Sequence, residues 1–369
     1  MLSHPLSKGR VNVLIDGQWG STGKGKLSGF LALRSDLALV TCDFAPNAGH
    51  TWRGSHAGVD RVLLTRQIPT SALNVDAAVA ISAGSAISVP LLLRELEELE
   101  FLGVRRRLVI DYRALVVEDG HEREERSLLS IGSTAKGSGA ALADKTLRRA
   151  RLARDVEELK PYLGDVSQLV SNTLRTGGTI LAESAQGFDL SLNHGHDYPF
   201  VTSRDVTPAT VLNNIGAPVQ SVGEVIGCLR TYPIRVGHVF DEVGTKVGDS
   251  GPCYGDQREV SWDEVRVSSG SPLDLTELTT VTKRVRRVFT FSRKQYLKFL
   301  RICAPSQLFV NFANHLDHAN CGVRDVHLLS EKTRNWLQKL EDVSELGLWP
   351  YPRLSYVGTG PRDEDVVCL

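Results

Sequence analysis

The chain has 369 residues, 41% of them apolar and 23% charged, a composition that can bury a sizeable globular core. Lysine plus arginine (43) equals aspartate plus glutamate (43), so no overall field draws in nucleic acid or an anionic membrane, and neither is expected as a partner. Six scattered cysteines without a C-x-x-C pair argue against a disulfide framework or a structural zinc site, and no apolar stretch is long enough to span a bilayer; a soluble, cytoplasmic protein is expected.

Residues 11–15 read as a buried strand and 27–33 as a helix. Between them, Gln18-Trp19-Gly20-Ser21-Thr22-Gly23-Lys24-Gly25-Lys26 is a glycine-rich turn carrying lysines. A strand, a glycine turn and a helix aim backbone N–H groups and a helix N-terminus at phosphate oxygens. The loop is P-loop-like but not a P-loop: the first glycine of G-x-x-x-x-G-K-[ST] would fall on Gln18, and Gly25 stands where the magnesium-binding hydroxyl belongs.

Residues 37–41 read as a second strand running into a polar loop with Pro46, Asn47, Gly49, His50 and Thr51. Strands are expected at 61–65, 76–81 and 107–111, with a helix at 91–102 whose glutamates face outward. The charged stretch 120–130 reads as exposed, and 130–139 as a second loop rich in glycine, hydroxyls and lysine. A basic helix is expected over 142–154 and another helix over 155–175. Residues 179–183 form a short strand opening into Ala185-Gln186-Gly187-Phe188-Asp189, and 221–232 a strand closed by Arg235-Val236-Gly237-His238.

The segment 248–275 reads as a long loop or small excursion, and 279–287 is the densest basic stretch. A helix at 292–303 and a strand at 308–312 lead to Asn314-His315-Leu316-Asp317. A last helix at 331–340 precedes a last strand at 353–357 and Gly358-Thr359-Gly360-Pro361. The alternation predicts an α/β fold, a single large domain over 1–369 with a mainly parallel central sheet and a P-loop-like, glycine-rich nucleotide loop.

More strands end in glycine-plus-polar loops than a fold alone requires, which points to several phosphate- or carboxylate-bearing ligands and to a nucleotide-using transferase or ligase. Lys24 would neutralise charge on a transferred phosphoryl group. Thr282, Arg284 and Arg286 would suit a substrate carboxylate, which arginine grips in bidentate fashion. His194, His196 and His238 lack such context and read as surface or structural residues.

These blocks resemble adenylosuccinate synthetase. The resemblance runs through Gln18-Trp19-Gly20, Gly23 to Lys26, Asn47 to Thr51, Ser133-Thr134, Asp144-Lys145 with Arg148-Arg149, Ala185 to Gly187, Tyr198 to Ser203, Arg235 to Gly237, Thr280 to Arg287 and Thr359 to Pro361, in family order. It implies a ligase that joins L-aspartate to C6 of a purine nucleoside monophosphate. A nucleoside triphosphate phosphorylates the C6 oxygen, and the aspartate amino group then displaces phosphate.

In family terms Ser21, Lys24, His50 and Gln186 are the catalytic set. The triphosphate site is Gly20, Ser21, Thr22, Gly23, Lys24, Gly25, Lys26, Gly49, His50 and Thr51, with Asp317, Gly358, Gly360 and Pro361 around its base. The monophosphate site is Ser21, Asn47, Ser133, Thr134, Gln186, Leu190, Val201, Thr202, Val236 and Gly237, with Arg148 supplied across a homodimer interface. Thr280, Val281, Thr282, Arg284 and Arg286 form the aspartate site, and Ser21 and the Gly49 carbonyl would hold Mg2+.

The informative departure is Ser21. The family usually has an aspartate there that takes the N1 proton and binds magnesium, and a serine hydroxyl is a poor base. Shortening the side chain makes room for the 2-amino group of guanine, as in the phage-type branch that acts on dGMP; a protein of that branch would work in a host cytoplasm. His315 stands where lysine is typical before Leu316-Asp317, so the donor is open among ATP, dATP and GTP, with ATP or dATP preferred. Asp16 replaces a small residue and reads as a turn residue or a partial substitute for the lost carboxylate. Ordinary ligation of IMP, or a catalytically silent homologue, remain the alternatives to a dGMP ligase.

Overall fold

A computed structural model describes residues 6–241, 243–279, 284–343, 347 and 351–369, the Leu129 side chain aside. Its frame is a ten-stranded sheet. From edge to edge the strands are Val366–Cys368, Arg353–Gly358, Gln307–Asn311, Val222–Arg230, Val11–Asp16, Ile180–Glu183, Leu39–Cys42, Ala78–Ile81, Leu108–Asp111 and Leu163–Gly164. Every pairing is parallel except that of the edge strand Val366–Cys368. The inner strands are buried on both faces, which explains their continuous apolar runs, and two large apolar clusters fill the space beneath the covering helices. No described helix is long and apolar enough to cross a membrane.

The first strand, β1 (Val11–Asp16), lies mid-sheet between Ile180–Glu183 and Val222–Arg230. The chain winds away from it in both directions, so the loop beyond its carboxyl end opens at a topological switch point, where such sheets bind ligands. Helix α1 (Lys24–Ala32) follows that loop and is buried throughout, hence its lack of an amphipathic pattern.

Several expectations are corrected. The basic helix ends at Thr146 rather than 154, because Arg148 adopts φ +63° and breaks the helical path. The run 155–175 is a helix only over Val166–Arg175, capped by the Asp165 side chain; 3-10 turns and the short strand Leu163–Gly164 precede it, and Pro161 removes a helical donor there. The stretch 120–130 is not wholly exposed: Asp119–Glu125 is helical and buries His121 and Glu125. The 248–275 excursion contains the helix Trp262–Ser269, opened by a Ser261–Glu264 capping box. His50 begins a strand, β2 (His50–His56 in a separate hairpin with Val59–Thr65), rather than sitting in an open loop.

Candidate active site

The glycine-rich loop is organised by a carboxylate. Asp16, fully buried at the end of β1, accepts from the Gln18 and Gly20 amides with Oδ1 (2.9 and 3.2 Å). Its Oδ2 accepts from the Thr22 hydroxyl (2.5 Å) and the Lys24 ammonium (3.2 Å). Lys24 also donates to the Gln186 carbonyl at 2.9 Å, so its charge is already half engaged by the protein. Asp16 is therefore a turn residue, and one that positions the lysine.

Close approach of the flanking loops depends on two glycines. A Cβ on Gly187 would sit 2.3 Å from the Gln18 carbonyl, and one on Gly25 would sit 2.8 Å from the Thr51 amide. The first lets the Gln186 loop lie against the glycine-rich loop; the second seats His50 and Thr51 on α1. Gln186 itself adopts φ +66°, and Ser21, at the exposed tip, φ +56°.

His50 is buried, with Nδ1 2.5 Å from Glu183 Oε1 and its ring edge-on to Phe44. The other Glu183 oxygen accepts from the Ser28 hydroxyl (2.6 Å) and the Thr70 amide (2.8 Å). Burial pushes the Glu183 pKa up, but the His50 ring and these hydrogen bonds outweigh it and hold the group below its ordinary value. An ionised Glu183 accepts from Nδ1–H, and the other ring nitrogen, Nε2, takes no part in that bond. Glu183 was not singled out in the sequence; a carboxylate ending the otherwise apolar strand Ile180–Glu183 was the available signal.

The remaining predicted residues fall into three groups. Asn47 and Gly49 lie on the same strand-end loop, with Asn47 Oδ1 buried and without a protein partner among the described residues. Ser133 and Thr134 are half-buried; their loop is tied to Val236 through Asp249, whose amide donates to the Ser130 carbonyl (2.9 Å), and Ser250, whose hydroxyl donates to the Val236 carbonyl (2.7 Å). Thr202 donates its amide to the Leu190 carbonyl at 2.6 Å, which puts Val201–Thr202 beside the Gln186 loop. Gly237 lies against the Val285 carbonyl, joining this group to the arginine-rich segment.

That segment is an antiparallel arm. The Thr279 amide donates to the Arg284 carbonyl (2.8 Å) and the Arg284 amide to the Thr279 hydroxyl (2.9 Å), Leu278 pairs with Val285, and the Arg286 amide donates to the Glu277 carbonyl at 2.9 Å. Thr280, Val281 and Thr282 lie outside the described residues. Burial lowers the Arg286 pKa from its ordinary value, with Glu277 opposing.

On the other side of the loop, Lys26 donates to the Gly360 and Asp365 carbonyls (2.7 and 2.9 Å), which brings Gly358, Gly360 and Pro361 to α1. Burial drops the Lys26 pKa to about 7 against the pull of Asp365 and Asp363. Asp317 caps a short turn, accepting from the Ala319 amide at 3.0 Å, and the Ser330 hydroxyl helps hold its pKa low. Arg148 stands apart: it is exposed and has no ion-pair partner among the described residues.

Among the described residues no cluster of three His, Cys, Asp or Glu side chains forms a metal cage. Magnesium does not need one, since it commonly binds through one or two protein oxygens together with substrate phosphates. Asp16 is saturated by its own loop, whereas the Ser21 hydroxyl and the Gly49 backbone are exposed and fit such a minimal set.

A sequence model of the adenylosuccinate synthetase family matches residues 13–157 and 150–320. N6-succino-2-amino-2'-deoxyadenylate synthase of Acinetobacter phage SH-Ab 15497 is 36% identical, across 83% of this chain and 84% of its own length. Adenylosuccinate synthetase of Methanocaldococcus jannaschii is 33% identical across 97% of this chain and 96% of its own. Among solved structures, the succinoaminodeoxyadenylate synthetase of cyanophage S-2L, bound to dGMP and dATP as an energy donor, superposes with a TM-score of 0.78 at 31% identity, covering 97% of this chain and 95% of that one.

Proposed function

The chain belongs to the adenylosuccinate synthetase family and is a ligase forming an N6-succinyl purine nucleotide, and from that premise we propose that its substrates are dGMP, L-aspartate and ATP or dATP. The observation that carries the choice of base is Ser21. A neutral, short side chain stands at the exposed tip of the loop where the family usually carries a carboxylate. The hydroxyl can accept from the 2-amino group of guanine, while a carboxylate there would crowd it; hydrogen-bonding groups left unmatched in a site are strongly penalised. The phage and cyanophage relatives support this reading, the latter having been solved with dGMP and dATP.

The donor reading rests on His315, which stands where the family typically carries lysine before Leu316-Asp317.

The reaction proceeds in two displacements. The O6 of dGMP attacks the γ-phosphorus as N1 gives up its proton to solvent, and the nucleoside diphosphate leaves. The aspartate amino group then attacks C6, and O6 departs with inorganic phosphate, giving 2-amino-2'-deoxy-N6-succinyladenylate. Lys24, held by Asp16 and the Gln186 carbonyl, faces the phosphoryl group in transfer, and His50, protonated on Nε2 and held at Nδ1 by Glu183, donates to its oxygens. Gln186 orients the base. Arg284 and Arg286 hold the aspartate carboxylates, and Thr280, Val281 and Thr282 complete that site. Magnesium, carried by the triphosphate and held by the Ser21 hydroxyl and Gly49 carbonyl, would neutralise phosphate charge. Arg148 reaches the monophosphate of a second copy in a homodimer, which accounts for its exposure and its lack of an ion pair among the described residues.

The test is product identity. The purified protein, Mg2+, ATP, L-aspartate and dGMP should yield a nucleotide with the mass of the 2-amino-2'-deoxy-N6-succinyl product. A product only from IMP would assign the ordinary substrate instead.

A further inference from the structure

Arg230 ends the strand Val222–Arg230 beside the glycine-rich loop and is fully buried. A buried guanidinium loses its hydration, so its partners must offset the loss. Its Nη1 donates to the Ser21 carbonyl at 3.1 Å and to Glu277 Oε2 at 3.2 Å, while Nη2 donates to Glu277 Oε1. Its backbone closes on the Gln18 side chain, the amide donating to Oε1 at 2.9 Å and the carbonyl accepting from Nε2 at 3.2 Å. The guanidinium carbon lies 4.1 Å over the Phe312 ring.

Glu277 in turn begins the arm that carries Arg284 and Arg286 on its return, joined to it by the Glu277 carbonyl and the Leu278–Val285 bridge. The glycine-rich loop and this arm share no strand pairing among the described residues. One planar cation spans them. Burial would raise the Glu277 pKa, yet the Arg230 guanidinium beside it outweighs burial and keeps it lowered.

We propose that Arg230 is a positioning residue that couples the nucleotide loop at Ser21 to the aspartate-binding arm at Arg284 and Arg286, so that the two substrates tighten each other's binding. The proposal rests on the function assigned above. A base seated against Ser21 fixes its carbonyl and with it Nη1. Because the guanidinium is rigid, Nη2, Glu277 and the arm are fixed as well. The same chain runs in reverse from aspartate, as linkage requires.

The experiment measures Tm, kcat and both KM values for wild type, Arg230→Lys and Arg230→Met, together with the dissociation constant of dGMP with and without L-aspartate. Lysine keeps the charge but cannot grip Ser21 and Glu277 in the same fork. Arg230→Lys should keep a near-wild-type Tm, raise KM for L-aspartate about tenfold with kcat little changed, and abolish the tightening of dGMP by aspartate. Arg230→Met should repeat this more severely; if it fails to fold, the lysine variant carries the test. An unchanged KM for aspartate and intact tightening in Arg230→Lys would overturn the proposal, as would losses of Tm and kcat with KM untouched. If the wild type turns over neither dGMP nor IMP, the assigned function fails, and the binding linkage, which needs no turnover, still decides the coupling.

Discussion

His50 Nδ1 lies 2.5 Å from Glu183 Oε1, and both side chains are buried. The carboxylate accepts from Nδ1–H, favours the protonated ring and holds it beside the glycine-rich loop. Glu183→Gln keeps the shape but loses that control, so kcat should fall about a hundredfold while KM for the triphosphate changes little. Steady-state kinetics on the variant check this; a kcat within a factor of two would mean the ring is held by packing alone.

The same pair predicts an acid limb. The Glu183 pKa lies below its ordinary 4.5 in the folded state. A depressed carboxyl pKa contributes stability that is full above the unfolded value and is lost as pH falls through the folded one. Wild type should therefore lose Tm below about pH 4.5 more steeply than Glu183→Gln, the two curves converging at the acid end. Parallel curves would deny the linkage.

Asp16 and Lys24 form a second buried pair, 3.2 Å apart. Removing one member of such a pair strands the other's charge, so Asp16→Ala should cost about 3–5 kcal/mol in denaturant unfolding. The glycine-rich loop loses its hub at the same time, and triphosphate affinity should fall with stability. A variant that binds ATP as wild type does would show that Lys24 needs no such anchor.

The proposed sharing of the site between subunits has a mixing signature. Arg148→Ala and Lys24→Ala should each be nearly inactive, but hybrid dimers would contain one site with neither defect. Randomly mixed subunits should recover about a quarter of wild-type turnover. No recovery after exchange would place Arg148 and Lys24 in the same subunit's site, or outside any shared one.

The parallel sheet and the glycine-rich turn between strand and helix are readable because both rest on local pattern: apolar runs such as residues 11–15 and a glycine–lysine cluster after them. The hairpin around His50 is not, since Arg53 and Ser55 alternate with Trp52 and Gly54 in a strand with one exposed face. The helix Trp262–Ser269 hid in a glycine- and serine-rich stretch, although its capping box, Ser261 with Glu264, was there to be read. The basic stretch reads as a longer helix than it forms because charge alone does not reveal that Arg148 turns to positive φ. Glu183, Arg230 and Glu277 act through partners far away in sequence, His50, Ser21 and each other, and no spacing announces such meetings.

In the proposed reaction Ser21 selects the base, and the direct measurement is kcat/KM for dGMP and for IMP in wild type and in Ser21→Asp, read by phosphate release. Wild type should prefer dGMP by about a hundredfold or more, and Ser21→Asp should lose most dGMP turnover as the carboxylate meets the 2-amino group. Wild-type activity on IMP alone, or dGMP turnover unchanged by Ser21→Asp, would contradict it.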